Sequence, residues 1–235
     1  MMPEGDLLWY DMGAGVEAFS TLRTATLPYP VVQPHQTHTD TVALVDRPDL
    51  TRQDLEGVDA LITNLEECAI GVRTADCIPV LLYDPVRRAA GAVHSGWRGT
   101  VRRISEKTVL SMHEQFGTDP ADLIAVIGPG IGPDSFQVGQ EVADEFASAG
   151  FDMSQIMSDR GPRTEGDMSG GLHIDLWNAV RMTLTGAGLS DERIHTAGIC
   201  TYQNNSMFFS ARREGNKCGR IINSIKIHGF CGKKG

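Results

Sequence analysis

Two short apolar runs each carry a chemically capable side chain at one end. Cys77 stands where Ile78-Pro79-Val80-Leu81-Leu82-Tyr83 begins, and His94 stands where Ala89-Ala90-Gly91-Ala92-Val93 stops. Read as neighbouring buried strands, the runs bring a thiol and an imidazole together. Both groups bind zinc well, and a catalytic zinc site uses three protein ligands and keeps a fourth position open. His38, in Gln36-Thr37-His38 beside a strand start, is the natural third donor. Such a His/Cys/His set would hold zinc as a Lewis acid, with its bound water at a pKa of roughly 7. His35 is the rival third ligand, but Pro34 and the β-rich residues that follow disfavour the helical turn an H-x-x-H pair needs.

Two other readings of the same residues stay open. Cys77 can be a nucleophile with His94 as its base, as in Cys/His hydrolases. Asp76 could then orient the imidazole, although adjacent residues on a strand face opposite ways. Alternatively Cys77 is a small buried hydrophobe and the histidines are ordinary core or surface residues.

Anion-binding groups come next. Arg98 lies in a Gly-Trp-Arg-Gly turn before a helix, where free backbone N–H groups and a guanidinium can hold an anion. Arg73, just ahead of Thr74, is a weaker position of the same kind. Arg212 and Arg213 follow the aromatic pair Phe208-Phe209, which can pack on a flat ring while a guanidinium meets phosphate or carboxylate. The loop 128–133, Gly-Pro-Gly-Ile-Gly-Pro, can bring backbone amides to a ligand, but it matches neither the dinucleotide fingerprint nor the P-loop.

The elements that must position these groups are read from periodicity. Strands are expected at 7–12, 41–45, 59–63, 68–73, 78–83, 89–94, 123–127, 194–199 and 220–227. Helices are expected at 101–116, capped by Thr100 and stopped by Gly117, and at 141–149 and 172–184. A Pro-rich connection joins the first two strands, and 154–171 reads as a polar, Gly-rich, mobile connection. With no internal repeat or linker, one α+β domain over 1–235 is the economical reading.

Composition narrows the function. The net charge of −9 argues against a nucleic-acid partner, yet residues 208–235 hold seven Lys/Arg against one acid, a local anion site in an acidic chain. No apolar run is long enough to cross a bilayer, and the N-terminus lacks the features of a signal peptide, so a cytoplasmic location is expected. The five cysteines, Cys68, Cys77, Cys200, Cys218 and Cys231, form no C-x-x-C pair, which disfavours a disulfide framework and a four-cysteine zinc site.

Taken together, Gln36-Thr37-His38, Thr74-Ala75-Asp76-Cys77-Ile78-Pro79, His94-Ser95-Gly96-Trp97-Arg98-Gly99, Ile127-Gly128-Pro129-Gly130-Ile131 and Phe209-Ser210-Ala211-Arg212-Arg213 resemble, in order and context, the YfiH family. This family is also called the laccase-domain or multi-copper polyphenol oxidoreductase family. The resemblance implies an α+β fold of packed mixed β-sheets flanked by helices, related to cysteine hydrolases of the bacterial-toxin type. It also implies a His/Cys/His metal site, which maps onto His38, Cys77 and His94. The family's commonest Gln-Val-His-Gly reads Gln-Thr-His-Thr here, a departure that leaves the ligand in place.

Members of the family are described as purine nucleoside phosphorylases acting on adenosine, inosine and methylthioadenosine, with adenosine deaminase activity. The resemblance therefore implies nucleoside and phosphate as small-molecule partners, zinc or copper as cofactor, Cys77, His94 and Arg212 as catalytic groups, and Arg98, Arg73 or Arg213 on phosphate or substrate. An amidase that edits cell-wall precursors is the runner-up. A polyphenol oxidase or a non-enzymatic metal-binding protein ranks lower. A full multicopper centre needs more imidazoles than seven histidines without an H-x-H pair supply. The sequence leaves monomer and small homo-oligomer open.

Overall fold

The computed structural model describes residues 2–162 and 169–229. In chain order its strands and helices are β1 (Met2–Glu4), β2 (Leu7–Tyr10), β3 (Val16–Thr21), β4 (Val42–Leu44), β5 (Ala60–Thr63), β6 (Ala69–Thr74), β7 (Ile78–Asp84) and β8 (Ala89–Ser95), then α1 (Trp97–Val101) and α2 (Ile104–Phe116). There follow β9 (Ile124–Ile127), β10 (Gln137–Val138), α3 (Gln140–Ser148), α4 (Met153–Ile156), β11 (Met157–Asp159), β12 (Leu172–Ile174), α5 (Leu176–Gly186), β13 (Ile194–Thr196), α6 (Ala211–Glu214) and β14 (Ile221–Ile227).

A six-stranded mixed sheet, in the order β13-β9-β7-β8-β5-β4, forms the middle layer. Its central strands are buried on both faces because their residues alternate between two cores. Val80, Leu82 and Val93 join the core shared with the helices, while Leu81, Tyr83 and Ala92 join the core shared with a second sheet. Burial on both faces explains why these strands read as continuous apolar runs rather than as alternating ones. The second sheet is antiparallel, five-stranded and ordered β1-β2-β3-β14-β6. On the opposite side α2 packs on β8 and α5. A small antiparallel sheet, β10-β12-β11, completes the α+β arrangement of packed sheets and helices.

Several expected boundaries move for local reasons. The helix expected at 101–116 is two: α1 starts at Trp97 with Gly96 as N-cap, so Thr100 lies inside it rather than capping it. A left-handed Arg103, at φ 59°, separates α1 from α2, and Gly117, at φ 69°, ends α2 as expected. The helix expected from 172 starts at Leu176, because the Asp175 side chain caps it by accepting from Asn178 N and 172–174 pair as a strand. The connection 154–171 contains most of α4 and all of β11, and its residues 163–168 lie outside those described. β3 runs through the expected Pro-rich connection, held by β2 on one side and β14 on the other.

Candidate active site

Antiparallel pairing of β7 with β8 sets Pro79 opposite His94, so Cys77, at the mouth of β7, comes beside the end of β8. The third donor arrives on the segment before β4: His38 takes a left-handed backbone, φ 63°. The donor atoms of His38, Cys77 and His94 lie within 4.8 Å of one another, and Cys77 Sγ is 4.0 Å from His38 Nε2. Tetrahedral ligands on zinc stand about 3.5 Å apart, so a small contraction of this set would accommodate the ion.

Asp59 organises two of the three donors. The register of β5 on β8 continues from Ala60 opposite Val93, and the His94 backbone N–H donates to Asp59 O. The Asp59 carboxylate accepts from His94 Nδ1 at 2.6 Å, which directs the proton to Nδ1 and leaves Nε2 for the site. The same carboxylate accepts from the backbone N–H groups of Thr37, His38 and Thr39, fixing the segment that presents His38. Asp59 is wholly buried.

These contacts set the charges of the metal-free site. Burial opposes charge on Cys77, but the positive charge of His94 and a hydrogen bond with His38 outweigh it and bring the thiol down to about 6. Burial likewise opposes charge on His94, yet the Cys77 thiolate and the Asp59 hydrogen bond raise it to about 9. Asp59 pays the same burial penalty, and its bonds to His94 and Thr39 still hold it below the usual carboxylate range. Cys77 and His94 thus form a thiolate–imidazolium pair near neutrality.

Glycine and backbone strain shape the cradle. A Cβ on Gly96 would lie 3.0 Å from Cys77 Sγ and 3.4 Å from His38 Cδ2, filling the space between two donors. Asp76 turns the chain into Cys77 with φ 84° and accepts from Thr201 Oγ1 at 2.7 Å and from the Arg212 backbone N–H at 2.6 Å. Asp76 therefore fixes Arg212 beside the cysteine, whereas Asp59 orients His94. The amides of the 128–133 loop are largely spent on protein, Gly128 N on Pro79 O and Ile131 N on Asp76 O, so the loop braces the Cys77 turn rather than facing a ligand.

His38, Cys77 and His94 open into one cavity of about 1040 Å³. Trp97, Ile131, Phe136 and Leu176 give it apolar wall, and Arg52, Arg73, Arg212 and Arg220 give it positive charge. Arg212 donates from Nη1 to Gln137 O and lies over the Phe136 ring. Arg98 and Arg213 do not line it: Arg98 is exposed and stacks on Trp97, and Arg213 donates to Tyr202 O. His35 lines it, but its Nδ1 meets the Glu56 carboxylate, outside the donor set.

A family model described as multi-copper polyphenol oxidoreductase laccase matches residues 14–228. The chain belongs to this family. Among its relatives in the family, a purine nucleoside phosphorylase of Bacteroides thetaiotaomicron is 42% identical over 229 residues, covering 92% of this chain and 83% of the relative. Adenosine deaminase RL5, from an unknown prokaryotic organism, is 40% identical over 201 residues, covering 83% of this chain and 74% of the relative. The crystal structure of the hypothetical protein YfiH of Bacillus licheniformis shares the fold, with a TM-score of 0.83 at 26% identity over 94% of this chain and 96% of that one. No helix among the described residues is long and apolar enough to cross a membrane.

Asp59 is the functional group that sequence reasoning passed over. Its signal was an acid at the head of the apolar strand Ala60-Leu61-Ile62, a place where a carboxylate needs partners to be buried. Arg52 and Arg220 were passed over as well, since only folding brings them near Arg73.

Proposed function

We propose that this chain is a purine nucleoside phosphorylase whose reaction centre is His38, Cys77 and His94, with Arg212 holding phosphate. One observation carries the reading: a His/Cys/His donor set opens into a cavity that combines apolar wall with the Arg212 guanidinium, which is held by Gln137 O over the Phe136 ring. The names of the relatives support processing of purine nucleosides. Phosphorolysis joins a phosphate oxygen to C1′ of the nucleoside as the bond from C1′ to the purine nitrogen breaks. Arg212 offsets the charge of the attacking phosphate, and its backbone bond to Asp76 keeps it in reach. Trp97, Ile131, Phe136 and Leu176 suit the flat base.

The donor set fits zinc. A zinc ion held by His38, Cys77 and His94 would supply a Lewis acid and a bound water of pKa roughly 7, the chemistry that deamination of adenosine at C6 also needs. Asp59 holds His94 in the tautomer that such an ion requires. The test is phosphate-dependent release of hypoxanthine or adenine from inosine or adenosine, with metal content measured on the same sample. Cys77→Ala is expected to lose both the metal and the turnover, and retention of both sinks the proposal.

The pairing of Cys77, His94 and Asp59 favours a second reading, in which the thiolate attacks an amide and the imidazolium protonates the leaving amine. Amide cleavage that proceeds without phosphate and without metal would select it.

A further inference from the structure

The cavity carries more positive charge than one orthophosphate needs. Among the described residues three arginines line it apart from Arg212, namely Arg52, Arg73 and Arg220. Gln36 clasps the Arg73 backbone from both sides, with Gln36 Nε2 donating to Arg73 O and Arg73 N donating to Gln36 Oε1, each at 2.8 Å. Arg220 stands at the head of β14, whose Ile222 pairs with Arg73 across the sheet. Its guanidinium is fixed by the carbonyls of Asn216 and Cys218, at 3.0 and 2.6 Å. Arg52 donates to Pro34 O.

Among the described residues no carboxylate is ion-paired with any of the three, in a chain whose net charge is −9. Among the described residues the one acid lining the cavity, Asp76, is engaged by Thr201 and by the Arg212 backbone. The three charges sense one another: burial lowers the proton affinity of Arg73, and the charges of Arg52 and Arg220 lower it further. Like charges gathered on a concave wall whose described acid, Asp76, is already engaged are costly unless an anion fills the space.

The two sources of charge are anchored separately. Arg212 is tied to Asp76 beside the reaction centre, whereas the cluster is tied to Gln36 and to the edge of the five-stranded sheet. A cavity of about 1040 Å³ is large for a nucleoside and one phosphate.

We propose that Arg52, Arg73 and Arg220 form a second anion subsite that receives a phosphate carried by the ligand itself, so that the cavity binds purine nucleoside 5′-monophosphates as well as nucleosides. This rests on the nucleoside reading of the site and adds a ligand class to it.

The experiment compares binding of AMP, adenosine and inorganic phosphate to the full chain by calorimetry at constant ionic strength. It is repeated with Arg52→Gln and with Arg52→Gln/Arg220→Gln, whose folding is checked by circular dichroism. AMP is expected to bind at least about tenfold more tightly than adenosine, with that gain reduced in the single variant and lost in the double one. Saturating inorganic phosphate is expected to leave the AMP gain in place, because free phosphate sits at Arg212. AMP binding no tighter than adenosine overturns the proposal, as does a gain that survives in both folded variants. A gain abolished by inorganic phosphate also overturns it, assigning the cluster to the free anion. Binding of phosphate with no binding of adenosine or AMP marks the different failure, that of the nucleoside reading itself.

Discussion

The carboxylate of Asp59 and the imidazole of His94 meet at 2.6 Å in a buried contact, set by the pairing of β5 with β8. A substitution at Asp59 therefore acts on the donor set without touching a donor. Asp59→Asn is expected to lower metal affinity about 10- to 100-fold. Asp59→Ala should in addition destabilise the fold by about 3 kcal/mol or more, because it strands a buried imidazole and three backbone N–H groups. Chelator competition and thermal unfolding separate the two effects, and an unchanged metal affinity in Asp59→Asn would refute the positioning role.

Metal-free protein should show the ion pair directly. Alkylation of Cys77 is expected to follow a thiolate with a midpoint near pH 6, and His94→Asn should move that midpoint upward by removing the balancing charge. Cys77 titrates below its unfolded value, so its contribution to stability is lost as pH falls through about 6. His94 titrates above its own, so its contribution is lost as pH rises through about 9. Between 6.5, the unfolded value of His94, and about 9 the folded and unfolded chains bind the same number of protons at this pair, so the two opposed contributions to the slope cancel and the denaturant midpoint should be flat across that window.

Gly96→Ala places a methyl group 3.0 Å from Cys77 Sγ. It is expected to cut metal occupancy while leaving the far-UV circular dichroism spectrum unchanged. Full occupancy would show that the thiol has room to retreat.

Arginine substitutions test the division of labour in the cavity wall. Arg212→Gln should raise the KM for phosphate about tenfold or more, the loss of a charge-assisted contact. Arg98→Gln should stay within about twofold of the parent, because Arg98 is exposed on α1 and stacks on Trp97. Steady-state kinetics with varied phosphate decides both, and the reverse pattern would return the phosphate to the helix start.

Cys77 and His94 were legible in the sequence because each sits at the start or the end of an apolar run, where a strand must deliver its side chain to an edge. Both could be named on that ground, whereas His38, ahead of β4, and the reading of all three as a metal site leaned on the family resemblance; the central strands followed from their unbroken hydrophobicity. Asp59 could not be paired with His94, since the partner of a strand is fixed by register between segments distant in sequence. For the same reason Arg52, Arg73 and Arg220 read as scattered charges. β3 was hidden because Val16-Glu17-Ala18-Phe19-Ser20-Thr21 owes its strand to β14, which lies at the other end of the chain. The 172–174 segment shows the opposite effect, an apolar period continued through the Asp175 cap.

The clasp of Asp59 on both the His38 segment and the His94 ring has an entropic consequence. Two donors are immobilised by the fold before any ion arrives, so little configurational freedom remains to be lost on binding. The two hydrophobic cores do not depend on the ion, so stripping it with a chelator should return a folded chain rather than an unfolded one.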